Sequence, residues 1–200
     1  MDEDITVDRR PAKASRPALR LAGVRPRLSS RATEPVGSCA MQEMGDKELD
    51  WLRHAIGLAR QARARGDHPF GAVLLGPEGE LLLEAMNSCG TEGDRTGHAE
   101  RNLMSEATKR FDADFMKRRT MVTSAEPCAM CAGAAYWAGL GRVVYGLSEQ
   151  ALKDLIGPHP ENLTMDLPCR DVFAAGQRDI EVRGPLLESE AAGVHEGFWR

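Results

Sequence analysis

Residues 119–145 read RTMVTSAEPCAMCAGAAYWAGLGRVVY. Arg119 to Thr123 is short, apolar and rich in β-branched residues, Pro127 to Ala138 can wind as a helix, and Arg142 to Tyr145 is again strand-like. A strand, a helix and a second strand in close succession are the unit from which helix-covered sheets are built. The spacing inside the helix matters as much. Cys128 and Cys131 stand three residues apart, so a helix opened by Pro127 brings both sulfurs to one face of its first turn and sends Met130 elsewhere. The unpaired N–H groups and positive dipole of such a turn favour thiolates, the form a metal needs.

Working outward, the same alternation continues on both sides. Asp46 is a plausible N-cap for a helix carrying Leu49, Leu52, Ile56 and Ala59, with Gly66 as its stop. Phe70 to Leu75 and Leu81 to Met86 are apolar runs joined by Gly76-Pro77-Glu78-Gly79, which predicts an antiparallel hairpin. Gly97 to Arg110 predicts a helix carrying His98 and Glu100. Beyond a variable stretch from Ser148 to Cys169, Asp179 to Arg183 alternates as a strand, and Leu187, Ala191, Val194 and Phe198 recur at helical spacing. The expected fold class is α/β, with a mixed sheet of about five strands, an antiparallel opening hairpin and helices on both faces.

Length and composition set the frame. A chain of 200 residues with 42% hydrophobic content accommodates one domain with a real core. No apolar run suggests a spanning helix, and residues 1–40 lack the apolar centre of a secretory signal, so a cytoplasmic protein is expected, without a membrane partner. The five cysteines are an odd number, and Cys39, Cys89 and Cys169 show no framework spacing, so disulfides are not expected. Residues 1–40 hold eight Lys and Arg against five acids, +3, and with the whole chain at −4 the remainder carries −7. A domain of that charge is a poor partner for nucleic acid, and a small uncharged substrate fits it better. Arg9 to Thr33 lacks acids and any apolar period, which makes residues 1–44 a disordered basic extension and 45–200 the folded domain. The extension reads as a flexible tail, a basic arm, or sequence upstream of a start at Met41 or Met44.

His98-Ala99-Glu100 and Pro127-Cys128-Ala129-Met130-Cys131 together offer one imidazole and two thiolates, three ligands that leave the fourth tetrahedral position of a zinc ion to water. Glu100 cannot share the face of His98 in regular helix, so it reaches past the metal, where a proton carrier belongs. A structural zinc site closed by Cys89 or Cys169 is the competing reading.

This His-x-Glu and Pro-Cys-x-x-Cys pattern resembles the cytidine deaminase superfamily, from about Lys47 to Leu155. The resemblance implies the three-layer fold of that superfamily and one Zn2+ per chain on His98, Cys128 and Cys131. It also implies hydrolytic deamination of a nucleobase with Glu100 relaying protons. It implies a substrate-binding set of Asn87, Phe70, Ala99 and Trp137, and a homodimer. Among the superfamily, guanine deaminases are similar in the Tyr136-Trp137 pair and in Pro160-Glu161-Asn162, so guanine is the expected base. They also present a further carboxylate past the last core strand, for which Asp154 and Glu161 are the nearby candidates here. tRNA adenosine deaminases share both motifs but continue with Lys-Thr-Gly-Ala where this chain has Leu147-Ser148-Glu149-Gln150. Cytosine, a nucleoside or another aminated heterocycle stays open. A non-enzymatic zinc-stabilised binding protein would have no use for Glu100. Glu126 is expected to hold the strand-to-helix turn, His68 to cap or face solvent, and His54 to face solvent. The aromatic end, Val194 to Trp199, either caps a pocket or packs on the sheet.

Overall fold

The computed structural model describes residues 38–162 and 164–199. The expectation of a disordered extension falls mostly on residues outside that range. A long helix, α1 (Ser38–Ala64), leads into β1 (Gly71–Leu75) and β2 (Leu81–Met86). There follow α2 (Cys89–Glu92), α3 (Ala99–Arg110), α4 (Ala113–Met116), β3 (Thr120–Ala125), α5 (Ala129–Trp137) and β4 (Arg142–Leu147). The chain closes with α6 (Glu149–Ile156), α7 (Cys169–Ala174), β5 (Glu181–Arg183) and α8 (Glu188–Ala192). Asp46 is inside α1 and is not its cap. The preceding Ala40 to Met44 are good helix formers, and no proline interrupts them.

The five strands form one mixed sheet in the order β2-β1-β3-β4-β5. β1 pairs antiparallel with both β2 and β3, while β3, β4 and β5 run parallel. The β3–β4 crossover is α5, as parallel neighbours require an intervening helix. Alternation along the central strands sorts the side chains between two cores. Val73, Val122 and Val144 face Leu52, Ile56 and Ala59 of α1, joined by Ala191 and Val194 from the carboxyl end. Leu74, Met121 and Val143 face Leu103 and Met104 of α3, Ala132 and Ala135 of α5, and Phe173 of α7. Each such fully buried Val, Leu or Met contributes about 1.5–3 kcal/mol. Helices on both faces make the three-layer α/β architecture expected from the sequence. The approach of α1 to the sheet is close at Gly71, where a Cβ would stand 2.5 Å from the Ala55 carbonyl oxygen.

The connection between β4 and β5 differs from its sequence reading. It holds two helices, α6 and α7, where the sequence suggested only a variable stretch. At the carboxyl end the helical period of Leu187 to Phe198 is realised as one short helix followed by turns. Among the described residues no helix is long and apolar enough to cross a membrane.

Candidate metal centre and active site

Two helix N-termini meet at the carboxyl end of β3. His98 is the N-cap residue of α3, in extended backbone geometry, and Cys128 is the N-cap residue of α5. Cys131 follows in the first turn of α5, fully buried. The loop that presents His98 is tied down by Asn102, whose amide donates to the Met86 and Gly97 carbonyls and to Ser88 Oγ. Pro127 does not open α5 as its sequence reading assumed but lies two residues before its first helical residue, Ala129, and the two sulfurs still converge. His98 Nδ1 is 3.6 Å from Cys128 Sγ and 3.6 Å from Cys131 Sγ. A tetrahedral zinc ion with Zn–S bonds of about 2.3 Å and Zn–N bonds of about 2.0–2.1 Å holds its sulfur and nitrogen ligands about 3.6 Å apart. The donor set and its spacing thus fit zinc. The three ligand atoms lie within 4.8 Å of one another, and neither Cys89 nor Cys169 joins the group among the described residues. Cys89 Sγ donates to the Arg95 carbonyl, 3.7 Å away, and Cys169 sits at the start of α7. Among the described residues no fourth ligand closes the site.

The three donors perturb one another strongly. The hydrogens offered by Cys131 and His98 hold the Cys128 thiol down to about 4, while donation to Cys128 and burial push Cys131 up. His98 is raised chiefly by its contact with Cys128. Glu100, 4% exposed, is raised by burial. Thr123 Oγ1 donates to its Oε1 at 3.1 Å, and the Cys131 thiol faces its Oε2 at 3.7 Å. The carboxyl therefore stands beside the three donors without joining them.

A small cavity of about 30 Å³ opens on this cluster, bordered by Phe70, His98, Glu100, Cys128, Glu149 and Asn162. Phe70 thus reaches the site. Asn87, the residue after β2, is fully buried; its Oδ1 accepts from the Cys89 N–H at 2.9 Å, and its amide nitrogen has no partner among the described residues. Three of the four expected substrate contacts, Asn87, Ala99 and Trp137, are absent from the lining of this cavity. The Ala99 methyl is buried in the core and borders neither this cavity nor the outer one beside His68. Trp137 is 85% exposed, its ring edge-on to Tyr136, because it sits at the far end of α5 from the cysteines.

The neighbourhood also holds residues the sequence did not single out. Glu149, first in α6, borders the cavity, and burial beside Cys128, Glu126 and Glu100 brings it up to about 7. The Ser148 cap four residues before Leu152 could have revealed the helix that presents it. Glu126 accepts from the Glu149 and Cys169 N–H groups, both at 3.1 Å, which fits its expected structural place. Asp154 is exposed and accepts from Gln150, and Glu161 pairs with His68 at 3.7 Å on the rim. His68 is thus neither a cap nor a free surface group. With Cys89, Arg95, His98, Glu161 and Phe198 it borders an outer cavity of about 320 Å³. His54 is exposed and faces Glu84 at 2.8 Å. The carboxyl-terminal aromatics pack at the mouth of the same subunit's site: Trp199 lies 4.9 Å from His68, and His195 lies 5.1 Å from Phe70 and stacks on Trp199.

Comparison with known proteins agrees with this geometry. Residues 45–147 match the family described as the cytidine and deoxycytidylate deaminase zinc-binding region. The chain is 39% identical over 158 residues to the probable cytosine deaminase of Schizosaccharomyces pombe, covering 78% of this chain and 95% of that one. It is 35% identical over 150 residues to the tRNA-specific adenosine deaminase of Bacillus subtilis, covering 75% and 87%. The solved structure of guanine deaminase from Nitrosomonas europaea shares the fold, with a TM-score of 0.60 at 23% identity over 74% of this chain and 82% of that one. The chain is a deaminase belonging to the cytidine and deoxycytidylate deaminase zinc-binding family.

Proposed function

We propose that this enzyme hydrolyses the amino group of a small free nucleobase to a carbonyl, releasing ammonia, with His98, Cys128 and Cys131 holding one zinc ion and Glu100 carrying the protons. The observation that carries the reading is the three donors at zinc spacing with a buried carboxyl beside them, opening on a cavity of about 30 Å³. Bound there, zinc would supply acidification of water in its open position. Glu100, its proton affinity raised by burial, is suited to carry two protons in turn, the first from water to the ring nitrogen and the second from the hydroxyl added to the ring carbon to the departing amine. Thr123 keeps one oxygen of Glu100 fixed while the other faces the metal ligands. Phe70 offers a ring against the plane of the base, and the unpaired amide of Asn87 offers a donor.

Cytosine is the first candidate, supported by likeness to a probable cytosine deaminase along most of both chains. Guanine, expected from the sequence, is the second reading. Trp137 no longer supports it, but Asn162, part of the Pro160-Glu161-Asn162 resemblance, borders the cavity. Homodimerisation is supported by one face of α5, a helix without charged residues, on which Met130 and Trp137 are exposed two turns apart. The substrate is tested by ammonia release from cytosine, guanine, adenine, their nucleosides and a tRNA transcript. Turnover of a free base is expected; tRNA editing without any free-base turnover would overturn the proposal.

A further inference from the structure

We infer that Asp67 is a positioning residue for substrate binding: it braces the turn that fixes the Asn87 amide with its nitrogen free. The inference rests on the reading above in which that amide meets the base, and adds the group that holds it.

Asp67 lies three residues past the end of α1 and is fully buried. A buried carboxylate persists only where donors match its oxygens, and here they come mainly from the segment after β2. Oδ1 accepts the backbone N–H groups of Gly90 at 2.9 Å and Thr91 at 2.8 Å, and Thr91 Oγ1 donates to Oδ2 at 3.1 Å. Those two N–H groups belong to the first turn of α2, whose own N-cap residue, Ser88, makes no capping bond. Asp67 caps α2 from 23 residues away. The contact is close: a Cβ at Gly90 would stand 2.8 Å from the Gly66 carbonyl oxygen and 3.3 Å from Asp67 Oδ1. A second link runs through Arg65, whose Nη2 is 3.1 Å from Asp67 Oδ2 and donates to the Asn87 carbonyl at 3.0 Å.

The brace decides which end of the Asn87 amide is free. Asn87 Oδ1 accepts the N–H of Cys89, the first residue of the capped turn, so the oxygen is engaged and the nitrogen is left as a buried donor without a partner among the described residues. Such a donor calls for an explanation. The Asn87 N–H donates to the Phe70 carbonyl at 3.1 Å, which ties it to a residue bordering the cavity with His98 and Glu100. If the turn relaxed, the Cys89 N–H would leave Oδ1 and the amide would be free to rotate. The reacting groups are held separately, His98 through Asn102 and Glu100 through Thr123, so the loss falls on binding of the base and not on the chemical step.

The test measures kcat and KM, for whichever of cytosine and guanine is turned over, with zinc-loaded wild type, Asp67→Asn, Asn87→Ala and the double variant, zinc content recorded for each. Asparagine at position 67 keeps an oxygen for the two backbone N–H groups but sets an NH2 group against Arg65 and the Thr91 hydroxyl. Asp67→Asn is expected to raise KM about tenfold with kcat little changed and about one zinc retained. In the Asn87→Ala background the same substitution is expected to change KM less than about twofold, because the amide it positions is gone. Equal factors in both backgrounds, loss of zinc, or an unchanged KM in Asp67→Asn would overturn the inference while leaving the deaminase reading intact. Arg65→Gln, at the exposed end of the brace, carries the same test if Asp67→Asn fails to fold, with a smaller rise in KM that again depends on Asn87. An unchanged KM in Asn87→Ala would instead defeat the reading of Asn87 as a contact of the base, and this inference with it.

Discussion

His195 shows how far one side chain can be read from its surroundings. It is 1% exposed, its Nδ1 accepts from Trp199 Nε1 at 3.2 Å, and its Nε2 has no partner among the described residues. Burial, helped by the charge of Arg63, holds it down to about 4, below the ordinary value of 6.5. Above pH 6.5 both folded and unfolded chains keep it neutral, so it costs nothing there. As pH falls from 6.5 towards 4, the unfolded chain takes a proton that the folded one refuses, and stability falls. The wild-type protein should lose about 2 kcal/mol more than His195→Gln between pH 7 and pH 5, read from urea denaturation midpoints. Parallel pH profiles for the two proteins would contradict the assignment. At the same scale the sequence was legible where chemistry needs a residue type. His98, Cys128, Cys131 and Glu100 are identifiable because few other side chains could replace them. Trp137 was less legible because its type fits either a pocket or a surface, and its place at the far end of α5 leaves it exposed.

Among the elements, the strands and the helices α1, α3 and α5 were legible because apolar periodicity runs along them. The short helices α2, α4, α6 and α7 were not, since four to eight residues carry little periodicity and their signal lies in single caps such as Asp112 and Ser148. What holds α6 and α7 in place is mainly Glu126, whose carboxylate receives one backbone N–H from the start of each region. Charge-assisted bonds of this kind are worth about 1.5–3 kcal/mol each. Glu126→Ala should therefore destabilise the fold by about 2–4 kcal/mol in chemical denaturation, given partial replacement by water. It should also weaken zinc retention, because Cys128 follows Glu126 by two residues. A variant as stable as the wild type would show that the two N–H groups do not depend on Glu126.

Over the whole molecule, the layered fold and the reaction could be read from the sequence, while the substrate side could not. The cavity beside the three donors is bordered by Phe70, Glu149 and Asn162, with His195 packed on Phe70, segments that approach one another only after the sheet forms. The acidic balance of −7 over residues 41–200 is a property of the whole sequence and is the ground on which a small uncharged substrate is expected. The exposed apolar face of α5 gives a further prediction: sedimentation at micromolar concentration should find a dimer, and Trp137→Glu should shift it to monomer with zinc retained. A wild-type monomer would contradict that assignment. The account as a whole stands most directly on Glu100. Ammonia release from the preferred base, measured for the wild type and Glu100→Gln alongside metal content, should show about one zinc in each and a loss of about 10²- to 10⁴-fold in kcat for the variant. Full activity in a zinc-loaded Glu100→Gln would contradict it.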